Sequence, residues 1–309
     1  MIITVCLNPA VDKMVTVDCF VPGGINRVVS VRRDPGGKGI NVAKMVRRLG
    51  GDTLALGIVG GENGAYIRNQ LSKMGIPHDF IYREESTRTN YKIMDSRLRN
   101  TTELNEPGYP ITEEQLEKVW ESITAHVRPG DTVVLAGTNP PGVADGTLAV
   151  WIEKLNAMQA VTVLDTSGAP LKLGLAAKPR IIKPNLAELS EIFGEQIHYL
   201  RDAIAAARQV VQSGVERVIV SMGGDGAIFV TQDGVLRGHG VRVPVMSTVG
   251  CGDVMLASLL YDLEQGCDWE ETARHAIATG TANATCRGTE PPSAEQIEAF
   301  IDQVQIDRL

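Results

Sequence analysis

Short apolar stretches alternate with helical patterns along most of this 309-residue chain, and this alternation constrains the fold more than any other feature. After a first strand within residues 1–7, the predicted strands are Leu54–Val59, Thr132–Leu135, Val161–Asp165, Arg180–Lys183 and Arg217–Ser221. The predicted helices are Ile40–Leu49, Gly64–Met74, Glu113–His126, Asp145–Met158, Asn185–Ile192, Leu200–Ser213, Val254–Glu264, Trp269–Cys286 and Ala294–Val304. Such alternation is typical of right-handed βαβ units. The sequence therefore predicts an α/β fold whose central, mostly parallel sheet is flanked by helices on both faces.

Two pairs of segments have a strand-like polar alternation with no helix between them. They are Lys13–Phe20 with Arg27–Arg33, and Thr89–Asp95 with Thr101–Asn105. These segments form either a small second sheet that acts as a lid or surface ribbons at the edge of the core. We favour the lid, because arginines near the proposed site lie within the first pair and directly before the second, at Arg88. We expect a single domain over residues 1–309, with lid strands from about 12–35 and 87–106.

The charge of the chain argues against two classes of partner. A net charge of -7 and a pI near 5.4 disfavour nucleic acid and anionic membrane surfaces. No apolar run approaches the length of a membrane span, and residues 1–7 lack a basic leader, so we expect a cytoplasmic protein. The five cysteines are scattered without metal-ligand spacing, as in a reducing compartment. An anionic substrate would need a local cluster of cations.

The run of residues 247–257 carries the clearest chemical signal. Gly250 and Gly252 flank Cys251, Asp253 follows, and a helical pattern begins at once. Backbone amides at a helix start bind anions, aided by the helix dipole. A carboxylate at that place suits a hydroxyl that attacks a phosphoryl group, as in a sugar kinase. The alternative is a tight turn with an acidic residue in the first helical turn.

Eight motifs, in this order along the chain, resemble those of the ribokinase-like sugar kinases. They are Leu7–Asp12, Gly36–Ala43, Thr87–Asn90, Asn105–Gly108, Leu164–Gly168, Lys183–Glu188, Ser221–Ala227 and Ser247–Asp253. The resemblance covers nearly the whole chain and is strongest to the phosphofructokinase B branch, in particular to the 1-phosphofructokinases. It implies an α/β domain with a small β lid, phosphoryl transfer from ATP with Mg²⁺, and homodimers in which the lids clasp each other.

Asp253 is our candidate for the base that accepts the proton of the sugar hydroxyl, and helix capping is its alternative role. The amides of Gly250, Cys251 and Gly252 would hold the transferring phosphoryl group. Two residues depart from the family pattern, which usually reads Gly-Ala-Gly-Asp followed by Ser or Thr. Cys251 in place of Ala should preserve the backbone site, whereas Val254 removes a hydroxyl.

The nucleotide site is expected at the ends of neighbouring strands. The resemblance assigns to ATP the residues Lys183, Asn185, Ser221, Gly223, Gly224, Gly226 and Asn283, the last beside Gly280 and Ala282. Asn185 and Glu188 share one helix face. The resemblance implies that this Asn-x-x-Glu pair organises Mg²⁺ through water, consistent with the preference of Mg²⁺ for hard oxygen ligands. The alternative for this pair is a helix cap with a capping-box acid.

The sugar site is expected near the first motifs. The family positions that hold sugar hydroxyls correspond to Asp12, Gly36, Gly37 and Asn41, and those near a substrate phosphate correspond to Arg27, Lys38 and Arg88. Each residue alone could be an ordinary turn, cap or solvated charge. Together the three cations supply the local cluster that an anionic substrate needs on an acidic protein. This favours a sugar phosphate as substrate.

The leading hypothesis is an ATP-dependent kinase that converts fructose 1-phosphate to fructose 1,6-bisphosphate. Tagatose 6-phosphate or fructose 6-phosphate kinase activity is the close alternative, because the position of the phosphate depends on distances that the sequence does not give. A rival of another class is a catalytically silent sensor of sugar phosphates or nucleotides. Cys251 and Val254 are its only support, whereas Asp253, Asn185 and Glu188 argue against it.

Overall fold

The main sheet contains ten strands in the computed structural model, which describes residues 1–98 and 100–309. Numbered in chain order and given from edge to edge, they are β14 (Ile306–Arg308), β13 (Gly234–Gly238), β12 (Ala227–Thr231), β11 (Arg217–Ser221), β10 (Ile181–Ile182), β9 (Val161–Asp165), β8 (Thr132–Ala136), β1 (Ile2–Cys6), β4 (Thr53–Gly60) and β5 (His78–Arg83). Neighbours are parallel from β11 to β5 and antiparallel from β11 to β14. The predicted mostly parallel sheet is confirmed.

Helices cover both faces of this sheet, also as predicted. Those in the described residues are α1 (Lys38–Arg48), α2 (Gly61–Lys73), α3 (Glu113–His126), α4 (Thr147–Ala157), α5 (Gly168–Ala176), α6 (Leu186–Phe193), α7 (Leu200–Gln212), α8 (Cys251–Gln265), α9 (Trp269–Ala284) and α10 (Ala294–Ile301). Leu56 and Ile58 of β4 pack into the apolar cluster of α3 to α7, whereas Ala55 and Val59 pack against α1 and α2. Successive side chains of a strand point to opposite faces, so both faces need cover.

A separate four-stranded sheet lies beside the main one. Its strands are β2 (Ala10–Val17), β3 (Val28–Gly36), β6 (Arg88–Asp95) and β7 (Asn100–Asn105), in the order β3-β2-β6-β7. β2 and β6 are parallel neighbours, with Asp12 opposite Asn90. The predicted small second sheet is confirmed, and its movement as a lid stays a prediction. The sheet brings Asp12, Gly36 and Arg88 to the ends of its strands that adjoin the core.

The chain also contains elements that the sequence patterns did not predict. These are the edge strand β5, the antiparallel strands β12, β13 and β14, and the helix α5. The four strands lengthen the main sheet at both edges, and its parallel centre is as predicted. Within residues 1–98 and 100–309, no helix combines the length and the apolarity needed to cross a bilayer.

Candidate active site

Polar side chains gather where the parallel strands of the main sheet end. Asp165 ends β9, Lys183 and Asn185 follow β10, and Ser221 ends β11. A single backbone bridge ties Asn185 to Ser221, so these two strand ends stay in register. Ligand sites of parallel α/β sheets lie beyond such strand ends. α1 and α8 begin at the same place, and their first turns complete the cluster.

Asp253, the third residue of α8, is the central carboxylate of this cluster. It is only 8% exposed, and its Oδ2 accepts a hydrogen bond of 2.8 Å from Asn41 Nδ2. Burial and the negative charge of Asp165 raise the pKa of Asp253 to about 6, although the two lysines Lys38 and Lys183 and the bond from Asn41 oppose the rise. The group is therefore ionised at neutral pH and more basic than an exposed carboxylate.

Asp165 joins two of the predicted cations. Lys38 Nζ donates to its Oδ1 at 2.7 Å, and Lys183 Nζ lies 3.4 Å from its Oδ2 as an ion pair. Burial alone would raise the pKa of Asp165, but Lys183 and Lys38 hold it below its usual value. Burial likewise opposes the charge on Lys38, yet Asp165, Glu188 and Asp253 together raise the pKa of that lysine. Asp165 thus holds both ammonium groups at the site.

The start of α8 forms an anion-binding geometry. Gly250 precedes the helix with φ 76°, and no side chain in the described residues caps this terminus. The Cys251 amide makes only a long bond of 3.4 Å to the Thr248 carbonyl. A Cβ at Gly252 would lie 3.0 Å from Lys183 Nζ, so a lysine ammonium approaches the same turn. Backbone amides, helix dipole and cation therefore converge on one point.

A cavity of about 610 Å³ adjoins this helix start. It is lined by five residues predicted for ATP, namely Asn185, Ser221, Gly223, Gly224 and Gly226, together with Cys251, Gly252 and Gly280. Val241, Val243 and Ile277 give it an apolar wall, and a cleft with an apolar wall and a few polar groups suits a nucleotide. A cavity of about 820 Å³ beside Trp269 is larger, but none of the residues that line it belongs to the polar cluster at the ends of the parallel strands. We therefore place the site at the smaller cavity.

Asn283 lies outside this cavity, although the sequence suggested that it lines the nucleotide pocket. Its side chain is 1% exposed, and its Nδ2 donates to the Val249 carbonyl at 3.0 Å and to Cys251 Sγ at 3.3 Å. The residue thus supports the loop that leads into α8. Gly280, about one turn earlier on α9, does line the cavity.

On the opposite side of Asp253, the loop before α1 meets the small sheet. Asp12 is buried, accepts a bond of 3.0 Å from Asn90 Nδ2 and pairs with Lys92 Nζ at 3.2 Å. A Cβ at Gly36 would overlap the Asp12 carboxylate, so only glycine fits there. Gly37 has φ 112°, a conformation that other residues rarely adopt. The predicted residues Asp12, Gly36 and Gly37 therefore form one compact wall.

Comparison with known proteins decides the family. The signature of the pfkB family carbohydrate kinases matches residues 6–296, which include the glycine-rich loops at residues 36–37 and 250–252 and the whole of α8. The chain belongs to the pfkB family of carbohydrate kinases. Asp253, the cavity and the wall of Asp12 and Gly36 are thus features of a pfkB-family kinase, and their individual roles are taken up below.

Relatives of this pfkB-family kinase match it from end to end. The 1-phosphofructokinases of Bacillus subtilis and Rhodobacter capsulatus are 35% and 37% identical, over 100% of this chain and 100% and 98% of their own. The D-tagatose-1-phosphate kinase of Bacillus licheniformis is 32% identical over 100% of both chains. The crystal structure of Escherichia coli phosphofructokinase-2 with substrates and products matches with a TM-score of 0.94, 28% identity and 98% coverage of each chain.

The two predicted arginines of the pfkB-family kinase are placed differently. Arg88 donates to the carbonyls of Asn8 and Glu106, at 3.1 and 2.7 Å, and lines an open cavity of about 490 Å³. Arg27 is exposed just before β3, at the end of that strand opposite Gly36. Nine residues of extended chain span about 30 Å. The structure therefore brings Arg88 near the site and keeps Arg27 of the same chain away from it.

Two site residues of the kinase were not among those predicted. Asp165 lay in a predicted strand and a matching motif, and its position as the last strand residue was a usable signal. Lys44 lies within α1, and nothing in the local sequence distinguishes it from an exposed helix lysine. Its contact with Asn41 spans three positions of α1, whereas its contact with Thr289 spans 245 positions. Such a contact is outside the reach of pattern analysis.

Proposed function

We propose that this enzyme transfers the γ-phosphoryl group of ATP to a hydroxyl of fructose 1-phosphate, giving fructose 1,6-bisphosphate. The observation that carries this proposal is the buried Asp253 carboxylate at the uncapped start of α8, between the glycine-lined cavity and the wall of Asp12 and Gly36. The match of the whole chain to relatives named 1-phosphofructokinase supports the choice of fructose 1-phosphate as the sugar. A kinase of this kind needs a base beside the sugar, then an anion site for the transferring phosphoryl group, and then a cavity for the nucleotide.

In the proposed reaction, Asp253 accepts the proton of the attacking hydroxyl. The hydroxyl oxygen then forms a bond to the γ-phosphorus while the bond from that phosphorus to the β-bridging oxygen breaks, and ADP leaves. Asn41 donates to Oδ2 and so holds the carboxylate in place. Because burial raises the pKa of Asp253 to about 6, the group is a stronger base than an exposed aspartate and is still ionised at pH 7.

Positive charge at the start of α8 would stabilise the phosphoryl group in transfer. The amides of Gly250, Cys251 and Gly252 would contact its oxygens, and the Lys183 ammonium lies against Gly252. Asp165 pairs with both Lys38 and Lys183 and would keep the two ammonium groups in place during the reaction. Phosphoryl transfer asks a protein mainly for such positioning and charge neutralisation.

Asn185 and Glu188 would hold Mg²⁺ through water. They form a capping box, with reciprocal bonds of 2.8 and 2.9 Å, and this leaves Glu188 Oε1 facing Lys38 at 3.5 Å. The described residues contain no group of three His, Cys, Asp or Glu side chains that could hold a metal. Such a sparse oxygen site fits Mg²⁺, which retains waters and takes further ligands from substrate phosphates. When bound, the ion would neutralise charge on the ATP phosphates.

The small sheet would act as the lid over the sugar. Asp12 and Asn41 would bind sugar hydroxyls, the glycines of residues 36 and 37 would let the sugar contact backbone, and Arg88 would face the substrate's own phosphate. Lys38, which the sequence suggested for that phosphate, pairs with Asp165 and Glu188 instead. Arg27 is too far along β3 to reach that phosphate in its own chain, so we propose that it acts in a homodimer whose lids clasp. Because ATP is the phosphoryl donor, we also propose a cytoplasmic location.

Turnover with a panel of phosphosugars tests the proposed function. We expect kcat/KM with Mg²⁺-ATP to be highest for fructose 1-phosphate among fructose 1-phosphate, tagatose 1-phosphate, fructose 6-phosphate and tagatose 6-phosphate. Tagatose 1-phosphate is the second candidate, because a relative that matches the whole chain is named for it. A preference for a 6-phosphate would overturn the proposed substrate. ATP binding without turnover of any of the four would favour the silent sensor.

The pKa of Asp253 predicts the acid limb of the reaction. Only the carboxylate accepts a proton, so kcat/KM is expected to fall as pH drops through about 6. Rates of ADP release between pH 5 and 9 measure this limb. The phosphate of the substrate also titrates near pH 6, so the profile is repeated for kcat at saturating sugar phosphate. An acid limb centred near pH 4 would contradict a buried base.

A further inference from the structure

The lysine at position 44 is buried in α1 without an ion-pair partner among the described residues. It is 3% exposed, and its Nζ donates to the Pro35 carbonyl at 3.0 Å, to Thr289 Oγ1 at 3.1 Å and to Asn41 Oδ1 at 3.2 Å. These three acceptors use all three ammonium protons. Burial of a charge without a carboxylate partner is unfavourable, so a lysine held in this way calls for a reason.

The bond to Asn41 determines how that amide is turned. Only an oxygen accepts a bond from an ammonium group, so Lys44 fixes Oδ1 on its own side. The amide nitrogen then faces Asp253, to which it donates at 2.8 Å. Lys44 thus stands two hydrogen bonds away from the carboxylate that is proposed as the base.

The other two acceptors fix the lysine relative to the sugar loop. Pro35 immediately precedes Gly36 and Gly37, whose backbone forms one wall of the site. Thr289 lies in the segment between α9 and α10 and is 4% exposed. The ammonium therefore ties three separate segments together at a point directly behind Asn41.

We propose that Lys44 is a positioning residue for phosphoryl transfer, which holds the Asn41 amide in the orientation that donates to Asp253. This inference rests on the proposed role of Asp253 as base and assigns a task to a residue that itself touches no substrate. The bond from Lys44 to Asn41 is charge-assisted, and bonds of that kind contribute about 10- to 100-fold to an equilibrium or a rate.

The titration of Lys44 supports this role. Burial lowers the pKa of Lys44 to about 8, although nearby acids oppose the shift. The charged groups around its ammonium are Asp12 of β2, Arg32 and Asp34 of β3, Arg47 and Arg48 of α1, Asp253 of α8 and Glu290 beside Thr289. As pH rises through about 8, the Lys44 ammonium loses a proton, and the neutral amine has two protons for three acceptors. The Asn41 amide is then less restrained, so kcat is expected to decline above that pH.

Lys44→Met tests the proposal, because it removes the ammonium and retains the length of the side chain. We expect kcat to fall about 10- to 100-fold. We also expect the acid limb to move to higher pH, since a positive charge and an oriented donor near Asp253 are lost. In an Asn41→Ala background, Lys44→Met should lower kcat less than about threefold, because the residue through which it acts is gone. An unmoved acid limb, or the same loss in both backgrounds, would overturn the proposal.

Two further variants keep the test decisive if Lys44→Met does not fold. Lys44→Arg retains a charge that does not titrate, so we expect a normal acid limb and no decline above pH 8; a decline that persists would count against Lys44. Lys92→Met removes an equally buried lysine that contacts Asp12 instead, and it should raise KM for the sugar phosphate without moving the acid limb. Absence of turnover in the unmodified enzyme would instead refute the proposed function.

Discussion

Asp253→Asn is expected to lower kcat by about 10³-fold while Mg²⁺-ATP binds with nearly unchanged affinity. Asparagine has the shape of aspartate but does not accept the proton of the attacking hydroxyl. The cavity, the glycines of the helix start and Lys183 all remain, so the nucleotide keeps its contacts. Steady-state kinetics with fructose 1-phosphate measure the loss, and calorimetric titration with Mg²⁺-ATP measures the binding. Near-normal turnover would exclude Asp253 as the base.

The same variant predicts a change in stability that separates chemistry from folding. The pKa of Asp253 in the folded protein, about 6, is above its ordinary value, so the ionised carboxylate disfavours folding above that pH. This unfavourable contribution disappears as pH falls from about 6 toward 4. Asp253→Asn should therefore be more stable than the unmodified enzyme at pH 8 and lose that advantage near pH 4. Urea unfolding at both values tests it, and a less stable variant at pH 8 would indicate a structural role.

Asp165→Asn is expected to lower the free energy of unfolding by about 3 kcal/mol at pH 7. The substitution leaves two ammonium groups, of Lys38 and Lys183, without the buried carboxylate that pairs with both. Because the pKa of Asp165 in the folded protein is below its usual value, its contribution is present above the ordinary pKa of aspartate and is lost as pH falls below it. The difference between the two proteins should thus shrink below about pH 4. Urea unfolding across this range measures it.

Asp262→Asn is the matched control for Asp165→Asn. Asp262 is also buried, 5% exposed, but it pairs with His275 at 3.0 Å. Loss of this carboxylate leaves a histidine that can lose its proton at neutral pH, whereas a buried lysine keeps its charge to higher pH. We therefore expect a smaller loss, about 1 kcal/mol, and normal kinetics. Equal losses in the two variants would show that the pairing of Asp165 with two lysines adds nothing.

The centre of the fold could be predicted from the sequence, and its edges could not. β9 and β11 are continuous apolar runs, as buried parallel strands are, and the structure places them as predicted. β5 is half-exposed and has a mixed polar pattern, because an edge strand packs on one side only. β14 has three residues and pairs with β13, a contact across 68 positions. α5 is apolar apart from Lys172 and contains two glycines and a proline, so it lacks the polar and apolar periodicity that marks a helix.

The same division applies to the site. Glycine-rich loops and residues of a first helical turn, such as Gly36, Asn41 and Asp253, can be recognised from the sequence, because backbone conformation and helix starts restrict residue choice locally. Asp165 is not singled out in this way, since its partner Lys38 is 127 positions away. Lys44 is not either, since the sequence around it does not show that the side chain is buried against Thr289, 245 positions away. Arg27 is the opposite case. Its match to a family position was recognisable in the sequence, but the length of β3 keeps it from the site in its own chain.

The separation of the small sheet from the main one has a consequence for how such an enzyme can diversify. The residues proposed to contact the sugar through this sheet, Asp12 and Arg88, belong to strands whose hydrogen-bond partners are all in that sheet, whereas Asp253 and Lys183 belong to the core. Substitutions that change which sugar is accepted can therefore accumulate in one layer while the phosphoryl-transfer apparatus stays intact in the other. For laboratory evolution, the strands β2, β3, β6 and β7 are the natural module to randomise or exchange between relatives.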